Sequence, residues 1–485
     1  MNVILIITDT MRRDHLGFYG NRTVRTPNLD RFASMSQVFE NAYCANFPTV
    51  PNRLDVMTGR FTMTEYGWQP LPREATVISE MLGEAGKLTQ MIVDTPHILQ
   101  RGFGFDRGFD GWEWIRGQEN DRWRTAPRHV KLPASPGKLR SPYGSVTQHL
   151  RNTSVRRSEA DCFCARTMQA ACEWLEENRG EEFFLYLDTF DPHEPWDAPQ
   201  WYVDLYDPGY EGEEVSYPVY GPADYLSDAE LAHMRALYAG EVTLVDAWVG
   251  RLLSKVEQLG LMSDTAIIYT TDHGFYHGEH GLTGKTIIME KYHADAALYS
   301  EVSRIPLVIY VPGGGNRRIQ AYAQPPDLAP TVLELMGVSA PDTVQGMSLG
   351  PVMRGEQAIT RPFAISTPSL NVSPSGGRPT TITQGEWSLI YWGNPEGPLM
   401  QHLTRNVDGI ERPACVPSDE VPAPELYHLP TDPAQRYNVY EENRDIATRL
   451  HGEHVRFLQG LGMNEELLAE RSRLDKSQAL GGLFR

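Results

Sequence analysis

Four apolar segments of strand length end in residues that can bind a cation or transfer a proton. Asp9 follows the first segment, His97 and His193 follow the second and third, and Asp272 and His273 follow the fourth. Carboxylates and imidazoles are side chains that hold divalent metal ions, and an imidazole can also act as a general acid or base. These residue types at the ends of strands predict a metal site with histidines beside it.

A second group of chemically useful residues lies at the start of a predicted helix. Thr49 stands at the mouth of this helix, Pro51 lies in the first turn, where its missing N–H is harmless, and Arg53 follows one turn later. The helix dipole and free N–H groups favour an anion beside Thr49, and the fork of Arg53 can bind two of its oxygens. Taken alone, the pattern is more typical of a capped helix with a surface arginine.

Strands that alternate with helices are needed to bring these residues together. The apolar runs predict buried strands, and the amphipathic stretches between them predict helices. This alternation predicts an α/β fold with a doubly wound, mostly parallel sheet flanked by helices, in which the polar strand ends meet at one carboxyl edge. The strands are predicted at residues 3–7, 88–93, 183–189, 265–270 and 305–311, and the main helices at residues 76–85, 161–177, 231–259 and 327–335.

A change in amino-acid composition along the chain divides it into two predicted domains. Residues 1–360 are expected to form the α/β domain, and residues 361–485 a smaller C-terminal α+β subdomain, with an antiparallel strand at 387–392, a helix over 441–461 and a polar tail after 465. Residues 110–160 are predicted as a basic excursion, because residues 116–158 contain ten Lys or Arg against two Asp or Glu. This excursion is either a solvated or oligomer-contacting arm, or a flap that attracts an anionic substrate.

Composition excludes several classes of protein. A net charge of −19 argues against a nucleic-acid-binding protein. Five scattered cysteines form neither a disulfide framework nor a zinc pattern, so reduced thiols are expected. The apolar start at residues 3–7 is too short to direct secretion, and no run of eighteen apolar residues follows. We therefore predict a cytoplasmic protein without membrane contact, and a homo-oligomer is left open.

The order and spacing of these motifs resemble the sulfatase family of the alkaline phosphatase superfamily. The resemblance covers residues 2 to about 349, with a weaker match at residues 425–433. Its specific pieces lie at residues 8–10, 26–30, 49–60, 192–195, 272–274, 278–281 with Lys285, and 327–331. A hydroxyl at a helix mouth, carboxylates, histidines, an arginine and a lysine are also the equipment for transferring a phosphoryl or sulfuryl group.

The resemblance implies roles for individual residues. It implies that one divalent cation binds to Asp9, Asp272 and His273, with Thr10 at a further ligand position and Thr49 completing or approaching the shell. It also implies that Arg53, His97, His193 and Lys285 surround the oxyanion. Oxygen ligands with one imidazole favour Ca²⁺, Mn²⁺ or Mg²⁺ over Zn²⁺. A second ion near His277 and His280 is kept as an alternative.

The departures from the family concern the nucleophile. The family usually has Cys or Ser at the position of Thr49, in a C-x-P-x-R signature that is oxidised to formylglycine, and threonine cannot give that aldehyde. We therefore expect no formylglycine. Cys44 cannot replace it, because neither a proline nor an arginine follows at the required offset. Thr95 stands where a lysine is often found, which removes one positive charge.

A threonine hydroxyl can still attack directly and form a covalent intermediate that water cleaves, as in related phosphodiesterases of the superfamily. The sequence therefore predicts a metal-dependent hydrolase of small anionic phosphate or phosphonate esters, mono- or diesters. Thr49 is the expected nucleophile, and His193 or His97 serves the leaving group. Two alternatives remain: a sulfate ester hydrolase that lacks formylglycine, and a non-catalytic relative that keeps the pocket to bind anions.

Overall fold

Helices lie between most of the consecutive strands of the main sheet from Asn2 to Thr270. The computed structural model describes residues 1–288, 293–371, 378–393, 399–407, 410–418 and 422–475. The strands are β1 (Asn2–Thr8), β2 (Gln37–Ala42), β3 (Asn46–Phe47), β4 (Leu88–Val93), β5 (Gly111–Trp114), β6 (Phe183–Thr189), β7 (Gly221–Pro222), β8 (Thr265–Thr270), β9 (Tyr276–His277), β10 (Leu282–Gly284), β11 (Ile287–Ile288), β12 (His293–Ala294), β13 (Leu307–Tyr310), β14 (Arg317–Ala323), β15 (Ala364–Pro368), β16 (Pro379–Gln384), β17 (Trp387–Trp392), β18 (Leu399–Val407), β19 (Ile410–Ser418) and β20 (Glu425–His428).

Helices of very different length connect these strands. They are α1 (Pro27–Ser34), α2 (Thr49–Thr58), α3 (Ile78–Glu84), α4 (Pro96–Leu99), α5 (Thr147–Thr153), α6 (Phe163–Asn178), α7 (Gln200–Val203), α8 (Asp228–Gln258), α9 (Ser300–Ser303), α10 (Leu328–Leu335), α11 (Gly350–Arg354), α12 (Arg444–Gly460) and α13 (Glu465–Arg471). Within the described ranges, none of the helices has both the length and the apolar character needed to cross a membrane.

The main sheet has eight strands in the order β14-β2-β13-β8-β1-β6-β4-β5. β1 pairs in parallel with β6 and β8, and β4 pairs in parallel with β5 and β6. β13 runs antiparallel to both of its neighbours, β2 and β8. The predicted α/β fold with a mostly parallel, doubly wound sheet is therefore confirmed, as are the strands predicted at its centre.

β1 shows why this sheet is buried on both faces. Ile4 and Ile6 belong to the core beneath α1, α6 and α8, whereas Val3, Leu5 and Ile7 belong to the core beneath α2, α3 and α10. A strand with helices on both sides needs apolar residues at every position, which explains its continuous apolar run.

The strands predicted to carry the site are neighbours in the sheet. β8, β1, β6 and β4 lie side by side in this order, and in the shared register Ile7 is opposite both Thr270 and Asp188. Beyond the end of β1, the N–H of Asp9 donates to the carbonyl oxygen of Thr189 at 2.9 Å. The carboxyl ends of these strands therefore lie close together at the same edge of the sheet.

A second sheet, in the order β20-β17-β16-β15-β3, joins the C-terminal region to the α/β domain. β15, β16, β17 and β20 pair antiparallel, which confirms the predicted small antiparallel sheet, and α12 confirms the predicted helix. β3 comes from the N-terminal part of the chain and pairs in parallel with β15, with Asn46 opposite Thr367 and Phe47 opposite Pro368. The predicted domain boundary at residue 360 remains a prediction.

The chain after residue 465 is not a polar tail from its start. It forms α13, and Leu468 packs in a core with Leu370, Val455 and Leu458. The prediction missed this helix because the segment is short and rich in charge, and its one buried face appears only when α12 is in place. Residues 476–485 of the predicted tail lie outside the described residues.

The predicted basic excursion also packs against the domain. It begins with β5, an edge strand of the main sheet, and it contains α5. Four of its ten basic residues form ion pairs; for example, Arg116 binds Asp121 at 2.7 Å, and Lys138 binds Glu213 at 2.7 Å. The segment is therefore part of the folded domain, although several of its other basic side chains are exposed.

Four of the five cysteines are buried free thiols. They are Cys44, Cys162, Cys164 and Cys172, and the side chain of Cys415 lies outside the described residues. Burial raises the pKa of the Cys44 thiol to about 12, so this residue is an unreactive part of the core.

Candidate active site

Two carboxylates and one imidazole form a buried cluster at the carboxyl edge of the main sheet. Asp9 follows β1, and Asp272 and His273 follow β8. One potential ligand atom of each lies within 4.8 Å of the others, and all three side chains are fully buried. Among the described residues, this is the only group of three metal-ligating side chains that lie so close together. The structure thus brings together three of the residues that the sequence assigns to a cation.

The hydrogen bonds of His273 fix which ring nitrogen can bind a cation. Nδ1 lies 3.0 Å from the carbonyl oxygen of Gly274, which can only accept, so Nδ1 carries the proton. The lone pair of Nε2 therefore points to other partners, and Nε2 lies 3.3 Å from Asp272 Oδ2 and 3.2 Å from Lys285 Nζ. Burial lowers the pKa of His273 to about 3, against the opposing effect of Asp272, so the ring is neutral.

Arg53 is fully buried and binds three carboxylates. Its Nε and Nη2 donate to the two oxygens of Asp188, each at 2.9 Å. Nη1 donates to Asp272, and Nη2 lies 3.2 Å from Asp9 Oδ2. Arg53 is therefore not the surface arginine of an ordinary capped helix. Its contact with a substrate oxyanion remains a prediction, because carboxylates contact all three guanidinium nitrogens.

The charges of this cluster fit a bound cation. Asp9, Asp188 and Asp272 contribute three buried carboxylates, whereas Arg53 and Lys285 contribute two cationic groups. Oδ2 of Asp9 is buried without a hydrogen-bond partner. Burial and the neighbouring charge of Asp272 raise the pKa of Asp9 well above its usual value. These are the properties of a carboxylate whose charge Arg53 compensates only in part, and a divalent cation beside it would supply further positive charge.

Thr49 is the first residue of α2, and the surrounding chain contacts the cluster on both sides of it. Asn52, in the first turn of the helix, donates to the backbone oxygen of Asp272 at 3.2 Å. Just before the helix, the ring of Phe47 meets that of His273 edge-on, with 5.0 Å between centroids. Thr49 is 2% exposed and lies between these two contacts. The predicted helix start is confirmed, with Thr49 inside the helix rather than capping it.

Two threonines orient the carboxylates. The N–H of Thr10 donates to Asp272 at 3.0 Å, and its hydroxyl donates to Asp9 at 2.7 Å. Thr10 adopts φ = 63°, an unfavourable conformation for a β-branched residue that the two hydrogen bonds help to hold. Thr95 donates to Asp188 at 2.7 Å. A direct bond from Thr10 to a cation remains a prediction.

The two predicted histidines contact the same aromatic ring. The ring of His193 stacks on Phe190 with 3.9 Å between centroids, and His97 meets Phe190 edge-on at 5.5 Å. His193 is buried and His97 is half-buried. Each is paired with a carboxylate, His193 with Glu194 and His97 with Glu119. Burial lowers the pKa of His193 well below its usual value, so its ring is neutral.

The structure gives no support to a second cation at His277 and His280. Nδ1 of His277 lies 3.2 Å from Arg12 Nη1, and burial and this positive charge lower the pKa of His277 well below its usual value. His280 stacks on Tyr299 at 3.7 Å, and its Nε2 lies 3.4 Å from Glu301. Both rings therefore have other partners.

Three further acidic residues contact the predicted site residues, and the sequence analysis assigned a role to none of them. Asp188 is an acidic residue at the end of an apolar strand, and Glu194 adjoins a histidine between two prolines, so both positions carried a local signal. Glu119 lies in a long irregular segment and carried none.

The fold and the site together define an α/β protein with a buried cluster of carboxylates and an imidazole at the carboxyl edge of a mostly parallel sheet. A family model described as Sulfatase matches residues 1–338, and the chain belongs to this family. The resemblance seen in the sequence is therefore confirmed.

Some of the proteins that are similar to this chain are named sulfatases, and others are named phosphonate monoester hydrolases. It is 26% identical over 416 residues to an arylsulfatase of Clostridium perfringens, which covers 75% of this chain and 80% of that protein. It is 26% identical over 421 residues to the multifunctional alkaline phosphatase superfamily protein PehA of Trinickia caryophylli, covering 73% and 77%. The solved phosphonate monoester hydrolase of Agrobacterium radiobacter shares the fold, with a TM-score of 0.69 at 19% identity over 95% of each chain.

Proposed function

We propose that this protein hydrolyses small phosphate or phosphonate esters with Thr49 as an unmodified nucleophile. The observation that carries the proposal is the position of Thr49. It begins α2, and the residues on both sides of it contact the carboxylate–imidazole cluster. The N-terminal end of a ten-residue helix also offers free N–H groups and the positive end of the dipole to an anion.

A divalent cation completes the proposed site. Asp9, Asp272 and His273 would hold it, with Thr10 and Thr49 beside them, and this set of donors suits Ca²⁺, Mn²⁺ or Mg²⁺ better than Zn²⁺. When bound, the cation supplies positive charge that lowers the pKa of a neighbouring hydroxyl and stabilises charge on the ester oxygens.

The proposed reaction consists of two displacements. In the first, the hydroxyl of Thr49 loses its proton to solvent, its oxygen attacks phosphorus, the ester bond breaks, and the departing oxygen takes a proton from His97, since the buried ring of His193 is neutral. In the second, water attacks phosphorus and gives a proton back to that histidine, while Thr49 leaves phosphorus and recovers a proton from solvent. Lys285 provides positive charge beside the nonbridging oxygens.

Sulfate ester hydrolysis is the second candidate, and the names of several relatives favour it. The residue at position 49 argues for phosphorus. A formylglycine hydrate releases sulfate by elimination, whereas a sulfated threonine must be cleaved by water at sulfur. The chain has threonine at this position, so we place phosphate and phosphonate esters first.

The experiment compares turnover of nitrophenyl esters of four kinds: a sulfate, a phosphate monoester, a phosphodiester and a phosphonate monoester. The protein is first stripped with chelator and reloaded with Mn²⁺. We expect the highest kcat/KM with a phosphorus ester. Thr49→Ala should lower kcat by at least about 10³-fold with little change in KM, because the other groups that contact the anion remain.

Thr58→Ala is the matched control, since Thr58 is a buried threonine of the same helix whose hydroxyl donates to the backbone of Leu54. This variant should retain turnover. Equal turnover by Thr49→Ala and the parent protein, or a modified side chain at residue 49 in the intact mass, contradicts the proposal. Phosphate binding without turnover of any ester identifies the non-catalytic relative.

A further inference from the structure

Each histidine of the site is paired with a buried glutamate. Nε2 of His97 lies 3.1 Å from one carboxylate oxygen of Glu119, and Nδ1 of His193 lies 3.2 Å from one carboxylate oxygen of Glu194. Glu119 is 3% exposed and Glu194 is fully buried. Buried carboxylate oxygens need polar partners. The groups that contact the second oxygen of each glutamate therefore help to hold that glutamate, and with it the neighbouring histidine, in place.

Arg140 contacts both of these remaining oxygens. Its Nη2 lies 2.8 Å from Glu194 Oε1 and 3.5 Å from Glu119 Oε1. The guanidinium also lies over the rings of Tyr217 and Tyr220, at 4.1 and 4.3 Å from their centroids. One planar cation between two carboxylates and against two aromatic rings has little freedom to move.

The two tyrosines complete a repeated arrangement. The hydroxyl of Tyr217 donates to Glu119 Oε1, and the hydroxyl of Tyr220 donates to Glu194 Oε1. Each glutamate therefore uses Oε1 for a tyrosine and Arg140 and turns Oε2 towards its histidine, and Nδ1 of His193 also donates to the backbone oxygen of Glu194 at 2.6 Å. Two histidine–glutamate–tyrosine sets share a single arginine.

Arg140 supplies one positive charge that both carboxylates of this network share. Glu119 and Glu194 contribute two buried carboxylates, and Arg140 contributes one positive charge. Burial would raise the pKa of Glu119, but its histidine partner and Arg140 lower it to about 2, so it stays ionised. Burial and neighbouring positive charges lower the pKa of His193 well below its usual value, so the ring of His193 is neutral.

We propose that Arg140 is a positioning residue that links His97 to His193 through Glu119 and Glu194, so that His97 presents the proton taken up by the leaving group. The inference rests on the proposed function for its consequence in turnover. Arg140 belongs to the segment predicted as a basic excursion, and this role explains why that segment is folded against the histidines. Arg140 itself touches neither the carboxylate–imidazole cluster nor Thr49 in any recorded contact of the described residues.

The test removes the charge of Arg140 and keeps most of its length, in Arg140→Met, and restores a charge in Arg140→Lys. The matched control is Arg13→Met, because Arg13 is also half-buried, lies 3.7 Å over the ring of Tyr19 and pairs with Glu40 at 2.6 Å, away from the histidines. Turnover is measured with a phosphate or phosphonate ester of nitrophenol and with the matching ester of an aliphatic alcohol.

We expect Arg140→Met to lower kcat/KM for the aliphatic ester about 10- to 100-fold more than for the nitrophenyl ester, because only the poorer leaving group depends on the proton. Arg140→Lys should restore part of this difference, and Arg13→Met should leave the ratio of the two substrates unchanged. Equal losses for both esters in Arg140→Met overturn the proposal, since a general loss of folding acts on both alike.

A second measurement keeps the inference testable if the protein turns over none of these esters. The ring ¹⁵N signals of His97 and His193, assigned with His97→Gln and His193→Gln, report their protonation and hydrogen bonding. Arg140→Met should shift both signals and Arg13→Met neither. Unchanged signals in Arg140→Met overturn the positioning role, whereas shifted signals without any turnover support it and reject only the proposed function.

Discussion

Arg53 stabilises the proposed cation site from within the protein. Its guanidinium has donors on three nitrogens, and it uses them to hold Asp9, Asp188 and Asp272 at fixed positions around itself. A lysine in its place would supply the same charge as a single point and could not hold two oxygens of one carboxylate in a plane. Because three buried carboxylates repel one another, the loss of this fork would separate them before any cation could bind.

The same scale gives a prediction for Asp9→Asn. This change removes the carboxylate whose Oδ2 lacks a hydrogen-bond partner, so we expect cation affinity to fall at least about tenfold, or about 1.4 kcal/mol. Unfolding temperatures with chelator and with saturating Mn²⁺ measure the effect, since binding to the folded state alone stabilises it. Asp246→Asn, at a buried aspartate that binds Asn28 and Leu29, should keep the full cation-dependent increase. An equal increase in Asp9→Asn would contradict the assignment.

The sequence could reveal a site residue only where that residue lies within or next to a recognisable strand or helix. Asp9 and Asp272 were found because they directly follow continuous apolar strands. Asp188 ends such a strand too, but it looked like an ordinary boundary residue, since its partner Arg53 is 135 residues away. Glu119 and Arg140 meet only through the path of a long irregular segment, and no periodicity in the sequence encodes that path.

At the scale of elements, the turn after β8 depends on one close approach. A Cβ at Gly274 would lie 1.9 Å from the backbone oxygen of Glu301, so no side chain fits there. The N–H of this glycine donates to the carbonyl of Val302 at 2.9 Å, and its own carbonyl accepts from His273. The glycine therefore lets the ligand-bearing turn lie directly against the chain around α9.

We predict that Gly274→Ala destabilises the protein by about 1–3 kcal/mol and weakens cation binding, because the backbone must shift and His273 with it. Gly180→Ala is the control, since a Cβ at Gly180 would meet nothing within 4 Å, and it should change stability by less than about 0.5 kcal/mol. Chemical denaturation and cation titration measure both quantities. Wild-type cation affinity in Gly274→Ala would show that the turn can move without disturbing His273.

Strands were predicted correctly where a local sequence pattern is enough to determine them. β1, β4, β6 and β8 each contain an uninterrupted run of at least three apolar residues, which marked them as strands of the core. β2 and β14 carry polar and charged residues because they lie towards one edge of the sheet, and they were missed. β5 is four residues long and depends on pairing with β4, which the sequence does not reveal.

At the scale of the whole molecule, acid should weaken the packing of α12 on the small sheet. His451 is buried, its Nε2 lies 2.9 Å from the backbone oxygen of Arg471, and burial lowers its pKa to about 4. The unfolded chain binds a proton at this histidine near pH 6.5 and the folded chain does not. The free energy of unfolding should therefore fall as the pH drops from about 6.5 to 4, by up to about 3 kcal/mol from this residue.

His451→Gln tests this prediction, because glutamine can still donate to the carbonyl of Arg471 and does not titrate. Denaturation at pH 6.5 and 4.5 should show a smaller loss of stability in His451→Gln than in the wild-type protein. His129→Gln, at an exposed histidine, should behave as the wild type. Parallel losses in all three proteins would rule out His451 as an acid-sensitive group.

The predicted fold class was correct because alternating strands and helices leave few other arrangements. The relation between the two parts of the chain was not predictable in the same way. β3 is two residues long, too short for any periodic signal, and only its pairing with β15 shows that the C-terminal sheet reaches the residues before Thr49.

This pairing has a consequence for the synthesis of the protein. Asn46 pairs with Thr367. The strand just before the proposed nucleophile therefore pairs with a strand that is synthesised more than 300 residues later. The proposed cation ligands after β8 are made earlier than that partner. A nascent chain can therefore assemble most of the main sheet while the turn before Thr49 still lacks its last neighbour, and activity should arise only once β15 has been made.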